Sequence, residues 1–144
     1  MNDEKFILKA ISLANKASKK GDFPVGAIVV KNNKIISSSF NKKENKKNAI
    51  YHAEILAIKK ACKKLKTWRL DDCILYTSME PCLMCYGAII QSRIKKVVFS
   101  IANDSFGAIT LYKNSKIQYE IIHNEEYLKT IKQFFRLKRI QSKK

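Results

Sequence analysis

Long apolar runs, acidic residues and histidine are scarce in this sequence, and each shortage excludes something. The apolar runs break well short of the roughly 18 residues a helix needs to cross a bilayer, so no membrane association is expected. The opening stretch "MNDEKFILKAISLANKASKK" begins with acidic residues and places apolar ones at Phe6, Ala10, Leu13, Ala14 and Ala17. That is a helical stripe, not the apolar core of a secretory signal. We therefore expect a cytoplasmic protein whose four cysteines stay reduced. No internal repeat, linker or low-complexity segment precedes the lysine-rich tail, so residues 1–144 are expected to form a single domain.

Only 12 Asp and Glu stand against 29 Lys and Arg, a formal net charge of +17. An excess of this size concentrates polyanions at the surface, with nucleic acid the natural class of partner. A lysine-rich coding bias would leave the same charge on solvated helix faces, as in "KKACKKLK", so charge alone does not choose between the two. Hydrophobic residues at 46% and aromatic residues at 10% are globular values and argue against disorder.

The pattern of elements is α/β. After the first helix, Val25 to Val30 is an apolar β-rich run. "KNNK" supplies a tight turn and "IISSSF" a second run, together a β-hairpin. A polar, basic loop leads to "HAEILAIKKACKKL", with Ile55, Ile58, Ala61, Cys62 and Leu65 at helical spacing and a start near His52. "DCILYTS" reads as a buried strand, "PCLMCYGAIIQSR" as a helix with proline in its first turn, and "KKVVFSI" as a strand. Strand, helix, strand implies a right-handed parallel crossover. "QYEIIH" is the expected last strand, and "NEEYLKTIKQFFRLKRI" a terminal amphipathic helix, acidic first and basic last. The fold class expected is a three-layer α/β/α sandwich around a mixed five-stranded sheet.

Histidine is the scarcest ligand type, present only as His52 and His123. His52 opens one helix, and Cys82 and Cys85, two residues apart after Pro81, open the next. In an open α/β sheet such helix starts can meet at one edge. One His and two Cys leave the fourth tetrahedral position of a zinc ion to a water, the arrangement of catalytic rather than structural zinc. Glu54, two residues past His52, can face that position as a proton carrier without binding the metal. Two buried thiols or a redox pair are the alternatives. A redox pair has no need of His-x-Glu upstream or of a proline before the first cysteine. Cys62 and Cys73 read as packing residues, His123 as a surface or helix-capping residue, and Glu80 as a structural carboxylate at the mouth of a helix.

His-Ala-Glu followed by Pro-Cys-x-x-Cys resembles the zinc nucleoside and nucleobase deaminase family, and the resemblance supplies the mechanism. It implies a cytidine deaminase-like fold, one zinc per subunit held by His52, Cys82 and Cys85, and Glu54 as the catalytic acid and base. Over most of its length the chain is similar to bacterial tRNA-specific adenosine deaminases, through "FPVGAIVV", Asn41, "HAEI", "RLDDCILYTSMEPCLMCYGAIIQSRIKKVVF", "FGA" and "FFRLKR". That implies conversion of the wobble adenosine of a tRNA anticodon to inosine by a homodimer. By match to the family pattern, Asn41 hydrogen-bonds the flipped base and the backbone around Val25 and Ala53 lines the pocket. Phe135, Arg136 and Arg139 grip the anticodon loop, and Asn103 stands at a position near the substrate backbone that is usually acidic, with Asp104 beside it. Leu83 inside the cysteine pair and Ser92-Arg93-Ile94 after it set the chain apart from guanine deaminases. A deaminase of free guanine or cytosine is the alternative substrate reading, and a non-catalytic RNA-binding module stapled by zinc the alternative class. Ile50-Tyr51 before the histidine and a short segment from Leu111 to Lys116 depart from the family pattern.

Overall fold

The structure is a computed structural model that describes residues 2–109 and 117–142. The element order is α1 (Asp3–Lys19), β1 (Gly26–Lys31), β2 (Lys34–Phe40), α2 (Ala53–Leu65), β3 (Cys73–Met79), α3 (Leu83–Gln91), β4 (Lys96–Ile101), β5 (Gln118–Ile121) and α4 (Glu125–Ser142). The strands form one sheet in the order β2-β1-β3-β4-β5. β1 is antiparallel to both β2 and β3, whereas β3, β4 and β5 are parallel, so the sheet is mixed. The segment from Leu111 to Lys116 lies outside the described residues.

Local chemistry accounts for the joints. Asn32 and Asn33 have φ of 51° and 61°, the two consecutive positive values that a tight type I′ hairpin turn requires and that Asn tolerates. Asn124, not His123, caps α4: its Oδ1 accepts the Tyr127 N–H at 2.9 Å, while His123 is exposed and pairs with Glu125. Pro81 stands one residue before Cys82, the cap of α3, and so outside the first turn that the sequence pattern predicts for it.

The period-2 alternation of strands assigns the layers. Gly26 faces α1 so closely that a Cβ there would lie 2.1 Å from the Ala10 carbonyl oxygen. Tyr76, on the same face, meets the Asp3 carboxylate and the Phe6 ring. On the opposite face Ser37 donates to the Ala57 carbonyl of α2 at 2.7 Å, and α3 lies beside α2. α4 joins the α1 face through Tyr127, which is fully buried. A buried phenol must find partners, and this one donates to the Pro24 carbonyl at 2.6 Å and accepts from Ser78 at 2.8 Å, while Ser78 accepts the Gly26 N–H. The result is a three-layer α/β/α arrangement with its core on both faces of β1, β3 and β4.

The buried face of α2 differs from the stripe read in the sequence. It centres on Ala53, Ala57 and Ala61 with Leu56 and Ile58, while Ile55, Cys62 and Leu65 are half-buried. Three alanines one turn apart let the helix axis approach the sheet closely, and an apolar count underweights such small residues.

Candidate active site

His52 is the cap of α2 and Cys82 the cap of α3. Both helices therefore point their N-terminal ends, with unsatisfied N–H groups and partial positive charge, at one spot, which favours thiolate over thiol. The His52 Nδ1 lies 3.7 Å from the Cys82 Sγ and 3.6 Å from the Cys85 Sγ, and the sulfurs are 3.8 Å apart. A tetrahedral zinc with Zn–S of about 2.3 Å and Zn–N of about 2.05 Å sets its ligands about 3.8 Å apart for S to S and about 3.6 Å for N to S. The three donors fit that ion without movement. Among the described residues no fourth donor joins the group.

The three donors are electrostatically coupled. The Cys82 thiol is pushed down to about 3 by its hydrogen bonds with Cys85 and His52, whereas the Cys85 thiol is raised by the same pairing and by burial. His52 is raised, chiefly by its hydrogen bond to Cys82. Glu54 is buried, and burial pushes its carboxyl up to about 7. A carboxyl there can give or take a proton near neutral pH.

The other sequence-predicted residues divide into two groups. Asn41 and Val25 meet: both are buried, and the Asn41 N–H donates to the Val25 carbonyl at 3.0 Å. The Asn41 Oδ1 accepts the Lys43 N–H, which orients the amide, and its NH₂ is the donor this side chain offers a base. Ala53 is fully buried in the first turn of α2, between His52 and Glu54. The Lys42 N–H donates to the Tyr51 carbonyl at 3.0 Å, tying the Asn41 strand to the segment that carries His52. Asn103 is committed to its own turn, with Oδ1 accepting the Phe106 N–H at 3.0 Å; Asp104 beside it is exposed.

Phe135, Arg136 and Arg139 lie on the exposed side of α4. The Phe135 ring stands half in solvent, packed against Phe23 at 5.3 Å. Phe134 meets the same ring edge-on at 5.4 Å. Through this pair α4 docks on the loop that delivers Val25.

Glu80 carries more than its sequence context indicates. Its Oε1 accepts the Asn103 N–H at 3.0 Å, and Gly107 packs on the carboxyl so tightly that a Cβ would fall 2.4 Å from Cδ. Gly107 also bridges to Cys82, and the Ala108 N–H donates to the Pro81 carbonyl. The 103–108 loop is thereby fixed to the backbone of Cys82, one of the three residues that could hold a metal. A glycine after an exposed aromatic is the only signal of this in the sequence.

The family described as the cytidine and deoxycytidylate deaminase zinc-binding region matches residues 1–101. The chain is 39% identical to the tRNA-specific adenosine deaminase of Aquifex aeolicus, over 94% of this chain and 95% of that one. It is 43% identical to the guanine deaminase of Bacillus subtilis, over 84% and 78% of the respective chains. Among solved structures, one from a study of A-to-I editing by tRNA:A34 deaminases at the wobble position superposes with a TM-score of 0.79 at 26% identity, covering 84% of this chain and 99% of that one.

Proposed function

The chain belongs to the cytidine and deoxycytidylate deaminase family, and we propose that it hydrolytically deaminates adenosine to inosine at the wobble position of a tRNA anticodon. The His52, Cys82 and Cys85 triangle, with the buried Glu54 carboxyl coupled to it, supports the deaminase chemistry, and the likeness to tRNA-specific adenosine deaminases supports the substrate. These three residues would hold zinc, one ion per chain. Zinc bound there supplies a Lewis acid that makes water a nucleophile near neutral pH.

The chain's own residues do the rest. Glu54 takes one proton from the incoming water as its oxygen bonds to the amino-bearing carbon and passes that proton to the adjacent ring nitrogen; it then carries the remaining proton from the same oxygen, which becomes the carbonyl, to the amino group, and the C–N bond breaks to release ammonia. The Asn41 NH₂ donates to the base, and the backbone at Val25 and Ala53 shapes the slot around it. Asn103 meets the substrate backbone through its side-chain NH₂, its Oδ1 and N–H being held within the loop that Glu80 fixes. Phe135, Arg136 and Arg139 take the anticodon loop, where planar guanidinium groups match phosphate oxygens.

The working unit is a homodimer of single-domain chains in the cytoplasm. α3 leaves Leu83, Met84 and Ile90 in solvent, and β5 leaves Tyr119 and Ile121, an apolar surface suited to a second copy. β4 is interior to the sheet, so α3 carries that interface.

The likeness to a guanine deaminase supports a second reading, action on a free base. Incubation with an anticodon stem-loop carrying a wobble adenosine, and separately with guanine and cytosine, decides between them by product mass. Inosine in the stem-loop and unchanged free bases are expected. Turnover of a free base with an unchanged stem-loop would assign the site to the second reading.

A further inference from the structure

A cavity of about 290 Å³ opens at the end of β2, lined by Lys20, Phe40, Lys42, Asn45 and Lys46. None of the five is acidic. The Lys20 and Lys42 ammonium groups lie 5.4 and 5.0 Å from the centroid of the one Phe40 ring, whose π face holds cations close that would otherwise spread into solvent. The nearby carboxylate of Asp22 is fully buried and fully engaged. It accepts the Glu44 N–H at 2.7 Å, the Asn45 N–H at 3.1 Å and the Asn45 side-chain amide, which fixes the 42–47 loop on the body of the protein. The lysines thus stand on a pinned platform.

The place of this cavity is informative. Phe40 and Lys42 flank Asn41 in sequence, their side chains leave the chain on the side opposite to that of Asn41, and the backbone between them joins cavity and slot, with the Lys42 N–H bonded to the Tyr51 carbonyl one residue before His52. Three lysines stand here against the buried, already hydrogen-bonded Asp22 carboxylate and the exposed Glu44, and an excess of cations is stabilised by an anion; the anion that accompanies a nucleotide into the Asn41 slot is a backbone phosphate. We propose that the Lys20, Phe40, Lys42 and Lys46 cavity is a subsite for a phosphate next to the target nucleotide, giving the RNA strand a fixed point beside the reacting base. The proposal rests on the RNA reading given above. The Lys42 ammonium supports it, since burial first and then Lys60, Lys46 and Lys20 lower its pKa, a crowding that a phosphate relieves.

The test compares the full chain with its Lys20→Gln/Lys46→Gln variant, which changes two walls of the cavity away from Asn41. Binding of the anticodon stem-loop is measured across a salt series. The variant is expected to bind about tenfold more weakly, with a log–log salt slope shallower by about 0.7, the contribution of one neutralised phosphate on a single strand. A second arm leaves the protein intact and replaces single phosphates near the wobble adenosine by neutral methylphosphonates. One position should weaken wild-type binding and leave the variant unaffected. Equal affinity and slope for the two proteins, or no methylphosphonate position that distinguishes them, overturns the subsite. Lysine-dependent binding of inorganic phosphate that fails to compete with the stem-loop makes the cavity a free-anion site and also overturns it. The two readings fail separately: inosine formation with an indistinguishable variant removes the subsite alone, lysine-dependent stem-loop binding without inosine removes the catalytic reading alone, and a wild type that neither binds nor deaminates the stem-loop removes both.

Discussion

At the heads of α2 and α3 three donor atoms lie 3.6 to 3.8 Å apart among buried neighbours, whereas the 42–47 loop and the last turns of α4 spread their cations over solvent-facing backbone. The first region is over-determined: two helix caps, a fully buried Ala53 and the Gly107 bridge each fix it independently. The second is held at a few points, chiefly the Asp22 carboxylate and the ring contacts of Phe23. Chemistry needs sub-ångström placement and gets it from packing. Holding a polyanion needs charge density and tolerates looser geometry. Substitutions in the first region should act on turnover, and those in the second on affinity and salt response.

The sharpest way to break that division is Glu54→Gln, which keeps the shape of the side chain and removes its titrating proton. Turnover is expected to fall by about 10²–10⁴-fold, with zinc content and stem-loop affinity close to wild type, as checked by single-turnover kinetics and metal analysis. Wild-type turnover would remove Glu54 from the chemistry and assign the proton transfers to another group. Gly107→Val tests the link between the regions. The new side chain collides with the Glu80 carboxyl, and overpacking of this kind costs about 1–3 kcal/mol. Urea unfolding should report that loss and the KM for RNA should rise as the 103–108 loop leaves Cys82; an unchanged KM would show that this loop does not touch substrate. The smallest effect is expected from Arg136→Gln/Arg139→Gln. The salt slope should become shallower by about 0.7 for each phosphate no longer neutralised, with unfolding unchanged because both side chains are exposed. A slope equal to wild type would leave the 42–47 loop as the main basic surface for RNA.

The same contrast explains what is legible in the sequence. His52, Glu54, Cys82 and Cys85 stand out because metal chemistry admits few residue types at few spacings, and only two histidines have to be considered. The strands are legible from their apolar runs, and the hairpin from Asn32-Asn33. Glu80 and Gly107 are not, because a carboxylate meeting a loop more than twenty residues later leaves no local pattern. The Tyr127, Ser78 and Pro24 relay escapes for the same reason. Lys20 and Phe40 are hidden by abundance: among so many lysines, only the fold shows which ones share a ring and a cavity. Resemblance names Asn41, and the structure adds that it is bonded to Val25 and that its amide oxygen accepts the Lys43 N–H.

The most direct test of the central claim is X-ray absorption at the zinc edge on the purified full chain, together with zinc counted per chain. The account predicts one zinc with two sulfur ligands, one imidazole nitrogen and one exchangeable light-atom ligand, and loss of a sulfur from that shell in Cys85→Ala. A chain that binds no zinc, or a zinc whose fourth ligand is another protein side chain, would contradict it.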